Sequence, residues 1–170
     1  MGTSLAERVA ERAPEAAGLY HRLVLIVGGA GTGKTAAQRD LAESQGWPRI
    51  NVNLQLAERL LELTQKQRAV RVAGLLDDVV KASDGPVVQL DNIEMLFAKE
   101  LSQDPLRLLQ GLSRNRTVIA AWPGAYDEQS LTYAEPGHPE FRKYSNPQAV
   151  VVPASTDPAQ DTAAHREETA

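Results

Sequence analysis

LVLIVGGAGTGKT, Leu23 to Thr35, decides the fold. Its first part, Leu23 to Val27, is a continuous apolar run rich in branched residues. That is the pattern of a strand buried on both faces, as strands are in a parallel sheet. The run stops at glycines. Good helix formers follow from Lys34 to Glu43, and Gly46 stands where a helix would end. Gly28, Gly33, Lys34 and Thr35 keep the spacing glycine, four residues, glycine, lysine, threonine. Glycines allow backbone conformations in which the N–H groups of Gly28, Gly29, Ala30, Gly31, Thr32 and Gly33 turn inward on phosphate oxygens. The helix that begins near Gly33 adds the positive end of its dipole. Lys34 then reaches the outer phosphates of a nucleotide, and the Thr35 hydroxyl is placed to hold Mg²⁺.

Outward from this segment, strands and helices alternate. Ser4 to Arg12 is weakly amphipathic and predicts a short helix ended by Pro14. Arg49 to Asn53 reads as a short second strand, with Asn53 as cap of the helix that follows. Leu54 to Ser83 is helical in character, with the polar run Gln65 to Arg68 dividing it in two. Pro86 to Leu90 is a third buried strand ending at Asp91. Ile93, Leu96, Phe97 and Leu101 predict a helix, and Asp104-Pro105 starts another. Thr117 to Trp122 is a fourth strand, closed by Pro123-Gly124. Tyr126 to Asn146 has little periodicity and reads as a long loop, and Ala149 to Val152 is a fifth strand. The expected architecture is α/β: a three-layer αβα sandwich on a mostly parallel, five-stranded sheet. Residues 1–18 are expected as an N-terminal helical arm, 19–153 as the domain, and 154–170 as a disordered acidic tail.

With 170 residues and a hydrophobic fraction of 42%, the chain has the material for one domain with a real core. It contains no cysteine, which excludes a disulfide scaffold, a thiolate zinc site and a thiol nucleophile. No apolar run reaches membrane-spanning length and no signal-type segment opens the chain, so a cytoplasmic protein is expected. The net charge is −4. From Ala154 onward, Asp157, Asp161, Glu167 and Glu168 outweigh Arg166, so most of that charge lies in the tail. A near-neutral body does not mark a nucleic-acid binder. Arg68, Arg71, Arg107, Arg114 and Arg116 form a DNA-contacting face only if the fold gathers them.

A second acidic motif matches the first. VVQLD, Val87 to Asp91, puts a carboxylate at the end of another buried strand, where it would bind Mg²⁺ mainly through water. Together the two motifs resemble the P-loop NTPase superfamily, and within it ATPases of the AAA+ type. That resemblance implies a glutamate just after Asp91 to polarise the attacking water, but Asn92 stands there. An amide orients water without accepting its proton. Glu94, three residues from Asp91, is the nearest carboxylate and the candidate base. The resemblance further implies an arginine before the last strand that completes a neighbouring subunit's site, which Arg142 matches in location. It also implies a polar sensor where Trp122 stands, which leaves Trp122 to be core or to stack on a base. Beyond the fifth strand too little chain remains for the helical lid that such proteins append. Nucleotide-promoted homo-oligomerisation is therefore expected. His138, between Gly137 and Pro139, reads as a loop residue.

GGAGTGKT, NLQLAERLLEL, LDNIEMLF, DPLRLLQGLSRNRTVIAAWPG and LTYAEPGHPEFRKY, in this order, resemble the BrxF family. These are the small P-loop proteins of type 3 BREX bacteriophage-defence systems. The resemblance spans about Leu19 to Val152 and implies an ATP-binding component of prokaryotic antiviral defence. Its partners would be other BREX proteins: a DNA methyltransferase, a phosphatase-like protein and a helicase-type ATPase. The expected activity is slow, Mg²⁺-dependent ATP hydrolysis or an ATP-driven switch. The alternatives are a nucleoside or metabolite kinase, which would carry an arginine-rich lid, and a non-hydrolysing nucleotide-binding scaffold, for which Asn92 argues.

Overall fold

The structure is a computed structural model that describes residues 3–127, 130–134 and 137–155. In chain order its elements are α1 (Leu5–Ala16), β1 (Leu23–Gly28), α2 (Lys34–Gln45), β2 (Arg49–Asn51), α3 (Val52–Leu60), α4 (Gln65–Lys81) and β3 (Val87–Asp91). Two short 3-10 turns follow, Glu94–Phe97 and Lys99–Leu101. Then come α5 (Pro105–Leu112), β4 (Thr117–Asp127), β5 (Ser130–Tyr133), β6 (Arg142–Ser145) and β7 (Val150–Pro153).

Five strands pair in parallel in the order β2-β3-β4-β1-β7. The alternation of side chains along β1 sorts the two faces. Leu23, Leu25 and Val27 enter one core with α3, α4, α5 and the 3-10 turns. Val24 and Ile26 enter a second core with Val9, Ala13 and Ala16 of α1 and Leu41 of α2. All six residues of β1 are buried. This is the three-layer α/β sandwich expected, and it places β1, β3 and β4 with their carboxyl ends on one edge, where ligands of such sheets bind.

The sheet has seven strands rather than five. The stretch read as a long loop contains β5, antiparallel to β4, and β6, antiparallel to β5. β4 also runs past Pro123-Gly124 instead of closing there. Pro123 is level with Gly28, and beyond it β4 pairs only with β5, so a residue without an N–H is tolerated. Leu131 is fully buried and Tyr133 stacks on Phe97 at 3.8 Å, which explains why this hairpin folds back on the core.

Other boundaries moved for local reasons. α1 continues through Pro14 to Ala16, since a proline in the last turn forfeits one hydrogen bond while Ala13 and Ala16 are buried. Asn51, not Asn53, caps α3 by accepting from the Leu54 N–H, which shortens β2 to three residues. The break between α3 and α4 falls before Gln65, where Thr64 and Gln67 form a capping box. The helix expected from Ile93 is two 3-10 turns. Asp104 caps α5 with Pro105 in its first turn, as its sequence predicts. Of the acidic tail, Ala154 and Ser155 are described, and 156–170 lie outside the described residues.

Candidate nucleotide site

The glycine-rich loop joins β1 to α2 at the carboxyl edge of the sheet. Two of its glycines are required for different reasons. A Cβ on Gly28 would lie 2.6 Å from Thr32 Oγ1 and 2.8 Å from the Ala154 Cβ, so only a bare backbone fits. Gly33 precedes α2 with φ +93°, a left-handed conformation that side chains disfavour. The space around Gly29, Gly31 and Gly33 is open, so the loop forms a cradle that packing has not filled. The Lys34 ammonium turns into this cradle and donates to the carbonyls of Gly28 (2.6 Å) and Gly29 (2.7 Å). Thr32 Oγ1 donates to the Gly29 carbonyl at 2.7 Å.

Thr35, in the first turn of α2, donates its hydroxyl to Asp91 Oδ2 at 2.7 Å. The two motifs, 56 positions apart, therefore meet. Asp91 is 3% exposed. Its Oδ1 accepts from the Asn92 N–H, and its Oδ2 also accepts from Arg49 of β2. A hydroxyl and a carboxylate converging beside an open anion cradle are hard oxygen donors of the kind Mg²⁺ takes. The residues present fit a magnesium-bound triphosphate.

Two buried amides set this separation. Gln38 lies about one turn beyond Thr35, and Gln89 lies two residues before Asp91 on the same face of β3. Gln38 Nε2 donates to the Leu90 carbonyl, and Gln89 Nε2 donates to those of Gln38 and Trp47. α2 is thereby fixed to β3 directly beneath the Thr35–Asp91 contact. The polar residue inside VVQLD was the one sequence signal for this network; Arg49 had none.

Asn92 sits at φ +54°. Asparagine tolerates this conformation better than glutamate does, which gives a backbone reason for the amide at that position. Glu94 opens the first 3-10 turn, where its carboxylate accepts from Asn53 Nδ2 at 3.1 Å. Glu94, Asn92, Asn51, Asn53, Tyr133 and Glu140 line one open cleft of about 730 Å³. Burial raises the Tyr133 pKa, and the carboxylates of Glu140 and Glu94 push it the same way.

Arg142 lies within β6 and donates to the Gln103 carbonyl at 2.9 Å. Trp122 is fully buried, meets Phe97 edge-on at 5.0 Å and donates its Nε1 to the Thr132 carbonyl. It is a core residue, which removes the base-stacking alternative. His138 Nδ1 accepts from the Glu140 N–H. Of the basic residues that form a DNA face only if gathered, several are committed elsewhere. Arg68 donates to the carbonyls of Leu61 and Leu63, and Arg116 to those of Val80, Ser83 and Gly85. Arg114 lies over the Tyr20 ring. Among the described residues no helix is long and apolar enough to cross a membrane.

The family model of the ATPases associated with various cellular activities (AAA) matches residues 24–121. That is more than half of the chain, and it runs from β1 into β4, taking in the loop, Thr35, Arg49, Asp91 and Glu94. No curated protein matches the chain.

Proposed function

The chain belongs to the AAA family of ATPases, and from that premise we propose that it is a slow, Mg²⁺-dependent ATPase working as a switch. The observation that carries this reading is the 2.7 Å contact between Thr35 and Asp91 beside the open glycine cradle. In it the loop amides of Gly28 to Gly33 and the Lys34 ammonium hold the triphosphate, and Thr35 and Asp91 hold its magnesium. Mg-ATP, when bound, supplies the scissile bond and the cation that offsets its charge. Glu94 is the carboxylate able to take a proton from water, and Asn92 orients that water. Slowness follows from Asn92, which cannot serve as a base, and from Glu94 being engaged by Asn53.

Steady-state ATP turnover tests this. Wild type should release phosphate only with Mg²⁺, Lys34→Ala should lose nucleotide binding, and Glu94→Gln should cut turnover at least ~10-fold with nucleotide affinity kept. Binding without phosphate release in wild type would favour the non-hydrolysing scaffold, the reading that Asn92 supports. Absence of calorimetric heat with any purine triphosphate would sink both.

The defence role rests on the five BrxF-like segments. In that role the chain assembles with other BREX proteins, and co-purification with the methyltransferase, phosphatase-like protein or helicase-type ATPase of such a system is the check. Self-association promoted by nucleotide belongs to the same proposal, with Arg142 acting on a neighbouring copy. Light scattering should report a larger mass with an Mg-ATP analogue. A DNA contact draws little support from Arg68 and Arg116, whose guanidiniums bind backbone carbonyls at helix ends. A salt-sensitive mobility shift of duplex DNA would restore it.

A further inference from the structure

Asp91 Oδ2 accepts three hydrogen bonds: from Thr35 Oγ1 at 2.7 Å, from Arg49 Nη2 at 2.7 Å and from Arg49 Nε at 3.1 Å. The Asp91 side chain is 5% exposed and that of Arg49 is 20% exposed. A carboxylate so far from water needs a countercharge, and the guanidinium supplies it through two donors on one oxygen. This is the oxygen that Thr35 shares, at the corner the proposed function assigns to magnesium.

We infer that Arg49 is a built-in counter-ion that competes with Mg²⁺ for Asp91, so that metal-loaded nucleotide binds only as the guanidinium leaves the carboxylate. The inference rests on the nucleotide-site reading above. A guanidinium does not deprotonate, so it cannot yield its charge while staying in place. A dication and a guanidinium within hydrogen-bond reach of one oxygen repel each other in a site with little water to screen them. The architecture gives Arg49 somewhere to go. It begins β2, one of the two edge strands of the parallel sheet, and its side chain keeps a path to solvent that Asp91 lacks. The pair thus compensates Asp91 while metal is absent, and opposes metal when it arrives. Arg49 is a positioning residue in this account, acting through Asp91.

The test reads magnesium dependence rather than turnover. Binding of a fluorescent ADP analogue is titrated with Mg²⁺ in wild type, Arg49→Gln and Arg49→Lys; a diphosphate avoids any contribution from the third phosphate. Arg49→Gln should need at least ~10-fold less Mg²⁺ for half its effect, because the metal then relieves an uncompensated buried carboxylate. Arg49→Lys, which keeps the charge, should stay near wild type. An unchanged or higher Mg²⁺ requirement in Arg49→Gln overturns the inference. Should that variant not fold, as circular dichroism would show, wild type decides alone. Its Arg49 Nε–H signal in ¹⁵N NMR should exchange slowly in EDTA and with ADP, and lose that protection with Mg-ADP. Protection that survives saturating Mg-ADP overturns the inference. Failure of the underlying reading looks different: wild type would bind no ADP analogue, with or without metal.

Discussion

Asn53 bridges two segments that the chain separates by 41 positions: its Nδ2 donates to Glu94 at 3.1 Å, and its Oδ1 accepts from the Met95 N–H at 2.9 Å. One amide thereby uses a donor and an acceptor at once, fixing the candidate base and the first turn that carries it. The Asn53 N–H is taken as well, by the Asn92 carbonyl at 2.9 Å. The start of α3 and the segment after β3 are therefore held as a unit on the rim of the cleft.

Asn53→Asp keeps the acceptor for Met95 and replaces the donor to Glu94 with a second carboxylate. The loss should be about 1–2 kcal/mol at neutral pH, from one lost hydrogen bond and a like-charge contact. Protonating either carboxylate restores a donor, so the deficit relative to wild type should shrink in acid. Urea unfolding of both proteins at neutral and acidic pH measures it. A deficit independent of pH would show that the two side chains do not meet.

Gly28→Ala should damage the loop through contact rather than through φ. Its Cβ would meet Thr32 Oγ1 and the Ala154 methyl. Overpacking of this kind costs about 1–3 kcal/mol and should displace the loop from its nucleotide-binding shape. Ala154→Gly removes one of the two obstacles, so the double variant should recover part of the loss. A thermal-melting double-mutant cycle with nucleotide binding as second readout gives the coupling. Simple additivity would mean that positions 28 and 154 do not touch.

The chain's local patterns carry much of this. β1, the loop and α2 are legible because a five-residue apolar run, a glycine turn and a helix-forming run are each complete within a short window. Asp91 and the Asp104-Pro105 start are legible for the same reason. β5 and β6 are not, because each has four residues, with Pro136, Gly137 and Pro139 between them and Pro123 inside the strand that β5 pairs with. The site splits the same way. Gly28 to Thr35 and Asp91 stand in motifs. Arg49 reaches Asp91 across 42 positions and Asn53 reaches Glu94 across 41, and neither pair keeps a spacing that a helix or strand would reveal.

Arg8 and Arg12 of α1 cover the free edge of β7. Arg8 donates to the carbonyls of Pro153 and Ala154 at 2.8 and 3.1 Å, and Arg12 donates to that of Val151 at 2.6 Å. An exposed strand edge otherwise offers unpaired carbonyls to other chains. Arg8→Ala should cost about 1–2 kcal/mol through two charge-assisted hydrogen bonds. Because Ala154 abuts Gly28, it should also weaken nucleotide binding although α1 contributes no residue to the loop. Thermal melts and ADP-analogue titration on one preparation separate the two effects. Full nucleotide affinity in a destabilised Arg8→Ala protein would confine α1 to covering the edge.

Alkaline stability should be set by two phenols. Burial raises the Tyr144 pKa well above the usual phenol range. Its hydroxyl also donates to Asp104 Oδ1 at 2.8 Å, and the charge of that carboxylate adds to the rise. Tyr133 is raised as well, chiefly by burial. A raised pKa in the folded state means that the fold favours the neutral phenol. The stabilisation is then fully present below the unfolded value of about 10 and is lost as pH rises toward the folded values. Tyrosinate absorbance from these residues should therefore appear together with loss of the circular dichroism signal, not before it. Tyr144→Phe should melt lower at neutral pH, by about 1 kcal/mol for the lost hydrogen bond, and lose less stability between pH 9 and 11 than wild type does. Tyrosinate formed with the fold intact, or a Tyr144→Phe protein with an unchanged alkaline slope, would contradict the packing of β6 against the Asp104 cap.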